Sequence, residues 1–126
     1  MKRLLIVIAM IELGAGFALL CCPSATVALL VGSGLDTSAA VTLGRVAGAA
    51  LCALGLACWL ARDDTQSRAA RGLVSAMALY NLGVVIILGS AGLGSQSVGI
   101  VLWPAVILHA VMAVWCVACL RRSPSM

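Results

Sequence analysis

Charge is the scarcest commodity in this sequence. Only 10% of its 126 residues are charged, 8 Lys+Arg and 4 Asp+Glu, where soluble domains carry about 25%. From Gly72 to Leu120 there is no Asp, Glu, Lys or Arg, a run that a chain of this size could not hide in a core of its own. A soluble globular domain is therefore excluded. Histidine occurs once, as His109, which rules out bis-His haem ligation within one chain. Segments of alternating polarity about ten residues long are missing, and with them a transmembrane barrel. No motif dictates a reaction, so no catalytic residue is assigned.

What is present is apolar: 63% hydrophobic residues and a mean hydropathy of +1.18. A helix needs roughly 20 apolar residues to cross a bilayer. Four segments meet this, about 4–22, 38–61, 70–89 and 98–120. Pro23 and Ser24 break the chain after the first, and Ala25 to Val31 is expected to form a short apolar helix at the interface. Asp36, Thr37 and Ser38 supply oxygens to cap the second. A charged loop with Arg62, Asp63, Asp64, Arg68 and Arg71 precedes the third, and a neutral loop from Ser90 to Ser97 the fourth. Short loops imply an all-α membrane protein, a four-helix antiparallel up-down bundle forming one domain over residues 1–126.

Lys2, Arg3, Arg62, Arg68, Arg71, Arg121 and Arg122 are seven of the eight basic residues, and all fall on one side of this topology. Both termini are then expected in the cytoplasm. The net charge of +4 is accounted for by this bias and by attraction to anionic lipid heads, so no nucleic-acid partner is implied. Lys2-Arg3 before an apolar run resembles a secretory signal, but Glu12 interrupts the run and Pro23-Ser24-Ala25 is a poor cleavage site. The segment is expected to stay as a span.

Cys21, Cys22, Cys52, Cys58, Cys116 and Cys119 lie in or at the ends of spans, where free cysteine commonly serves as a small apolar residue. Cys116-Val117-Ala118-Cys119 has the spacing of a redox or metal motif. Its place beside Arg121 puts it near the reducing cytoplasm, and Cys21 and Cys22 belong to the opposite half, so no metal site or cofactor is expected.

The informative residues are the few polar ones inside the spans. Glu12, Tyr80, Asn81 and His109 fall within about one residue of mid-depth, and Arg45 lies ~7 Å further out. Ionisable groups cost ~2.5–3.5 kcal/mol or more in lipid, so these five are expected to converge on the bundle interior as a ligand-binding site. Glu12 and Arg45 are the natural ion pair. Small residues mark the same faces: Ala9, Ala15 and Gly16 around Glu12, the row Ala40, Gly44, Gly48 and Cys52 beside Arg45, and Ala105 and Ala113 around His109. Trp59 and Trp115 are expected at the cytoplasmic interface and Trp103 at the outer one. Pro104, early in the fourth span, is expected to cause at most a kink near its outer end.

Leu43-Gly44-Arg45-Val46-Ala47-Gly48, Leu54 to Arg62, Glu12-Leu13-Gly14, Tyr80-Asn81 and Leu102-Trp103-Pro104 with His109 resemble a group of uncharacterised small bacterial four-helix membrane proteins, and more distantly DoxX-like proteins. The resemblance implies a bacterial inner-membrane location and the four-helix fold, and brings no activity. Small multidrug resistance transporters share a Glu in the first of four spans, but their other marks are absent. Three readings follow. The first is a non-enzymatic membrane protein that binds lipid, a quinone-like or other apolar ligand, or a partner helix, as a homo-oligomer or with another membrane protein. The second is a proton-coupled transporter, and the third a membrane enzyme using Glu12 or His109 as acid or base.

Overall fold

The computed structural model describes residues 1–64, 66–95 and 98–122. Among them are five helices in the order α1 (Lys2–Cys21), α2 (Pro23–Val31), α3 (Ser38–Ala61), α4 (Arg68–Gly94) and α5 (Leu102–Arg122), and no strand. All but α2 are long and apolar enough to cross a membrane. Leu79, Val114, Leu43 and Phe17 turn outward with 67–73% of their surface exposed, as a chain solvated by acyl chains requires.

Local chemistry sets the ends. Pro23 opens α2, where its missing N–H costs nothing, and Gly32, at φ 85°, closes it in the left-handed region that glycine favours. Thr37 Oγ1 accepts from Ala40 N at 3.1 Å to cap α3. Ser67 caps α4 in the same way, accepting from Ala70 N at 3.1 Å, so this helix begins two residues before the expected start. It also runs on to Gly94, which corrects the loop expected from Ser90: Ser90 Oγ donates to the Ile87 carbonyl at 2.9 Å and leaves the helix intact. Gln96 and Ser97 of that expected loop lie outside the described residues. Helix α5 starts at Leu102 rather than Val98, so Pro104 sits in its first turn, where N–H groups have no intrahelical partner and proline is tolerated.

The helices pack as two antiparallel pairs, α1 with α3 and α4 with α5, with sparser contact between the pairs. Glycines bring the first pair to backbone contact. A methyl added to Gly16 would stand 2.7 Å from the Gly48 carbonyl oxygen, and one added to Gly55 would stand 2.8 Å from Leu13 Cγ. Cys52 belongs to the same seam, its Sγ 2.7 Å from that added methyl on Gly16. The row of small residues read from the sequence thus does bring α3 against α1 at Gly48 and Cys52.

The two pairs meet at one end of the bundle. There Leu4, Leu5, Ile8 and Ala9 of α1, Cys58 of α3, Val74 and Met77 of α4, and Met112 and Cys116 of α5 form a closed apolar core. The start of α1, the end of α5 and Asp63 just after α3 lie at this end: Lys2 Nζ is 2.5 Å from Asp63 Oδ1, and Met1 to Leu4 stand beside Trp115, Cys119 and Arg122. Trp59 is here too, under the Arg62 guanidinium at 4.2 Å from the ring centroid. Trp103 is at the far end, against Gly92.

The Lys2 ammonium, by hydrogen bond and then by charge, holds the Asp63 carboxyl below its ordinary value. A carboxyl so lowered contributes stability above the ordinary carboxylate range and loses it as pH falls through the folded-state value. Both side chains are more than half exposed, so the contribution is small. In an NMR titration of Asp63, Lys2→Ala is expected to move the midpoint upward. An unmoved midpoint would contradict the pairing.

Candidate functional site

Beyond the core the two pairs part, and a cavity of about 440 Å³ opens between them. Its wall draws on every helix: Ile11, Ala15 and Leu19 of α1, Thr26 and Leu30 of α2, Leu51 of α3, Val84 and Leu88 of α4, Ala105 and Leu108 of α5. Helix α2 stands over the far side of it. Val101 N donates to the Leu29 carbonyl at 3.0 Å, and Gly99 lies directly against the Leu29 and Leu30 backbone, which ties α2 to the segment leading into α5. Leu29, Ile87 and Leu108 line the cavity and are also exposed. The opening is therefore lateral, toward surrounding lipid.

Four polar side chains line it: Glu12, Thr26, Tyr80 and His109. Glu12 is only 2% exposed, and its carboxyl lies close to the Tyr80 hydroxyl. The Tyr80 and His109 rings meet edge to face at 81° with centroids 5.9 Å apart. His109 Nδ1 is 2.8 Å from Asn81 Oδ1, and buried Asn81 donates through Nδ2 to the Met77 carbonyl at 2.7 Å. Glu12, Tyr80, Asn81 and His109 are thus brought together across α1, α4 and α5, with His109 in contact with both Tyr80 and Asn81 and Glu12 beside Tyr80. Asn81 supports His109 from behind and does not itself line the cavity.

Arg45 is not with them. It is exposed, forms no ion pair or hydrogen bond among the described residues, and the Glu12–Arg45 pair expected from the sequence does not exist. Two geometric facts explain the correction. The seam sets Gly48 against Gly16 and Leu20, and Gly55 against Ala9 and Leu13, so the α3 residues level with Glu12 are near 52–55. Arg45 stands about two turns, or roughly 12 Å, further along. Gly44, which packs against Pro23 and Leu35, takes the inward face, and the helical turn of about 100° per residue carries its neighbour Arg45 outward.

Thr26 and Ala105 matter more than the sequence suggested. Thr26 lies three residues after Pro23, in a segment whose apolar run hid its role. The cysteines divide by depth: Cys58 and Cys116 are buried in the core, Cys52 and Cys119 are half-buried, and Cys21 and Cys22 are exposed. All six are free thiols, and no cluster of three metal-ligating side chains occurs among the described residues. A broader groove of about 580 Å³ runs outside α4 and α5 along Leu79, Leu82, Val114 and Val117. No buried polar group faces it, and it belongs to the lipid-facing surface.

Fold and cavity together define a multi-pass, all-helical membrane protein with a polar-floored apolar cavity. Comparison with protein-family models, with curated proteins and with solved structures finds no match for this chain.

Proposed function

We propose that this protein binds an amphipathic molecule from the membrane in the cavity between its two helix pairs. The apolar body would lie among Leu19, Leu30, Val84 and Leu88, with its polar end on Glu12, Tyr80 and His109. The observation that carries this reading is a volume of about 440 Å³ with three convergent polar side chains at its floor and a lateral opening. Ligand sites are commonly apolar cavities of ~300–1,000 Å³ with a few placed polar groups. A membrane lipid or another single small amphiphile fits this description. The seven basic residues at one end of the bundle support a location in a bacterial inner membrane with both termini in the cytoplasm, and a DoxX-like kinship belongs to the same proposal.

Proton-coupled transport is the competing reading. It needs a path from the floor to the basic end, and Leu5, Ile8, Met77 and Cys116 close that path with at most 1% of their surface exposed. Native mass spectrometry of the full chain from mild detergent decides between them. Co-purified lipid is expected in the wild type. His109→Ala and Tyr80→Phe should each reduce its occupancy about tenfold, the size of one lost buried hydrogen bond. Arg45→Ala, outside the cavity, should leave occupancy unchanged. Substrate-driven proton flux in liposomes, abolished by Glu12→Gln, with no bound amphiphile, would overturn the binding reading.

A further inference from the structure

We infer that the groove outside α4 and α5 is a second binding site, for an anionic phospholipid whose acyl chain lies along the groove and whose phosphate rests on Arg121 and Arg122. It is separate from the cavity between the helix pairs and does not rest on the reading of that cavity.

The groove measures about 580 Å³ and has an apolar length and a basic mouth. Half-buried Ala78, Ala113 and Ala118 form its floor, and exposed Leu79 and Val114 its rims. Small side chains between large ones leave a recess that a methylene chain can fill, gaining dispersion contact with both helices. Arg121 and Arg122 occupy the last turn of α5. From Ala113 to Arg122 that helix rises about 14 Å, close to the ~15 Å that half of a bilayer's hydrocarbon occupies. The groove thus has the depth of one leaflet, with its arginines at the level of the headgroups.

Charge selects the headgroup. Both arginines are exposed, and neither makes an ion pair or hydrogen bond with another described residue, whereas Lys2 and Arg62 share Asp63. The sequence holds only four acidic residues, and none lines the groove. On its other side Arg122 borders a depression of about 380 Å³ with Lys2 and Arg3, so the mouth is positive from both directions. A guanidinium fork matches two phosphate oxygens, and basic recesses between spanning helices are where acidic headgroups bind. A zwitterionic lipid brings an ammonium with its phosphate, and that cation gains nothing here. A second copy of the chain is a poorer occupant. Copies inserted in one orientation pair about an axis along the bilayer normal, which would bring two arginine pairs to one depth with no acid between them.

The test is native mass spectrometry of the full-length protein released from nanodiscs of equal parts phosphatidylglycerol and phosphatidylcholine with identical acyl chains. The wild type should retain phosphatidylglycerol over phosphatidylcholine by about thirtyfold, the combined attraction of two surface arginines for an anionic head. Arg121→Gln and Arg122→Gln should each lower the preference about fivefold, and together abolish it. Both side chains are exposed, so neither change disturbs packing. Ala113→Phe, which fills the groove, should lose retention of the anionic lipid with the arginines intact; the glutamine variants carry the test if it folds poorly. Arg68→Gln, a basic residue outside the groove, and His109→Ala, at the cavity, should leave the preference unchanged. Equal retention of the two lipids by the wild type overturns the inference, as does an Arg68→Gln variant that loses as much as the Arg121 and Arg122 variants, because the attraction is then the diffuse field of the basic end. A dimer that Ala113→Phe dissolves, with no retained phosphatidylglycerol, puts a second copy in the groove and overturns it as well.

Discussion

Gly16→Leu is expected to destabilise the protein by about 3 kcal/mol or more in SDS mixed-micelle unfolding, while Gly14→Leu, two residues away on the same helix, changes stability little. A methyl at Gly16 already meets the Gly48 carbonyl oxygen and Cys52 Sγ at 2.7 Å and Cys52 N at 2.8 Å, whereas one at Gly14 meets nothing within 4 Å. The atoms in the way at Gly16 include backbone, which cannot rotate aside, so α1 and α3 must separate along much of their seam. Overpacking a close-packed site costs ~1–3 kcal/mol for added methylenes in an ordinary core, and helices in lipid have no hydrophobic drive to restore contact once packing is lost. Equal stabilities for the two variants would show that the backbone contact at Gly16 contributes nothing.

The second large effect concerns binding without stability. Ala105→Phe is expected to abolish amphiphile occupancy, by at least about a hundredfold in native mass spectrometry, while leaving the unfolding midpoint the same or slightly raised. Ala105 lines the cavity one turn before His109, so a ring there takes the space of the ligand's apolar body. Filling an open space adds dispersion contacts rather than strain. A variant that retained its bound lipid would place the ligand elsewhere on the protein. One that unfolded would show the space to be too tight for a ring, and the smaller Ala105→Leu would then carry the comparison. Gly16→Leu and Ala105→Phe thus separate what holds the helices together from what the gap between them is for.

The dry core and the cavity divide the bundle by function as well as by position. Residues of all four spans close the basic end, while at the other end α2 and the segment before α5 bridge the two pairs through Val101 N on the Leu29 carbonyl. A ligand entering sideways past Ile87 and Leu108 would meet Tyr80, Glu12 and His109 at the boundary of the two regions. Buried ionisable groups in a membrane protein are retained where they have a partner or a use. Glu12 lies beside Tyr80, from a different helix pair, so this contact also spans the two halves of the fold.

Sequence alone determined the number and type of spanning elements, the gathering of basic residues at one end, and the depth at which Glu12, Tyr80, Asn81 and His109 lie. Those properties follow from composition along one axis, since a bilayer imposes length and each residue advances a helix by a fixed rise. The tertiary structure decided what depends on rotation and register between helices: that Gly48 and Gly55 set α3 against α1 so as to leave Arg45 outside, that Tyr80 and not Arg45 stands beside Glu12, and that the pairs part to form a cavity under α2. A helix in lipid is apolar on nearly every face, so hydropathy does not mark which face turns inward. That choice is made by the closest backbone approach, and only the packed molecule displays it.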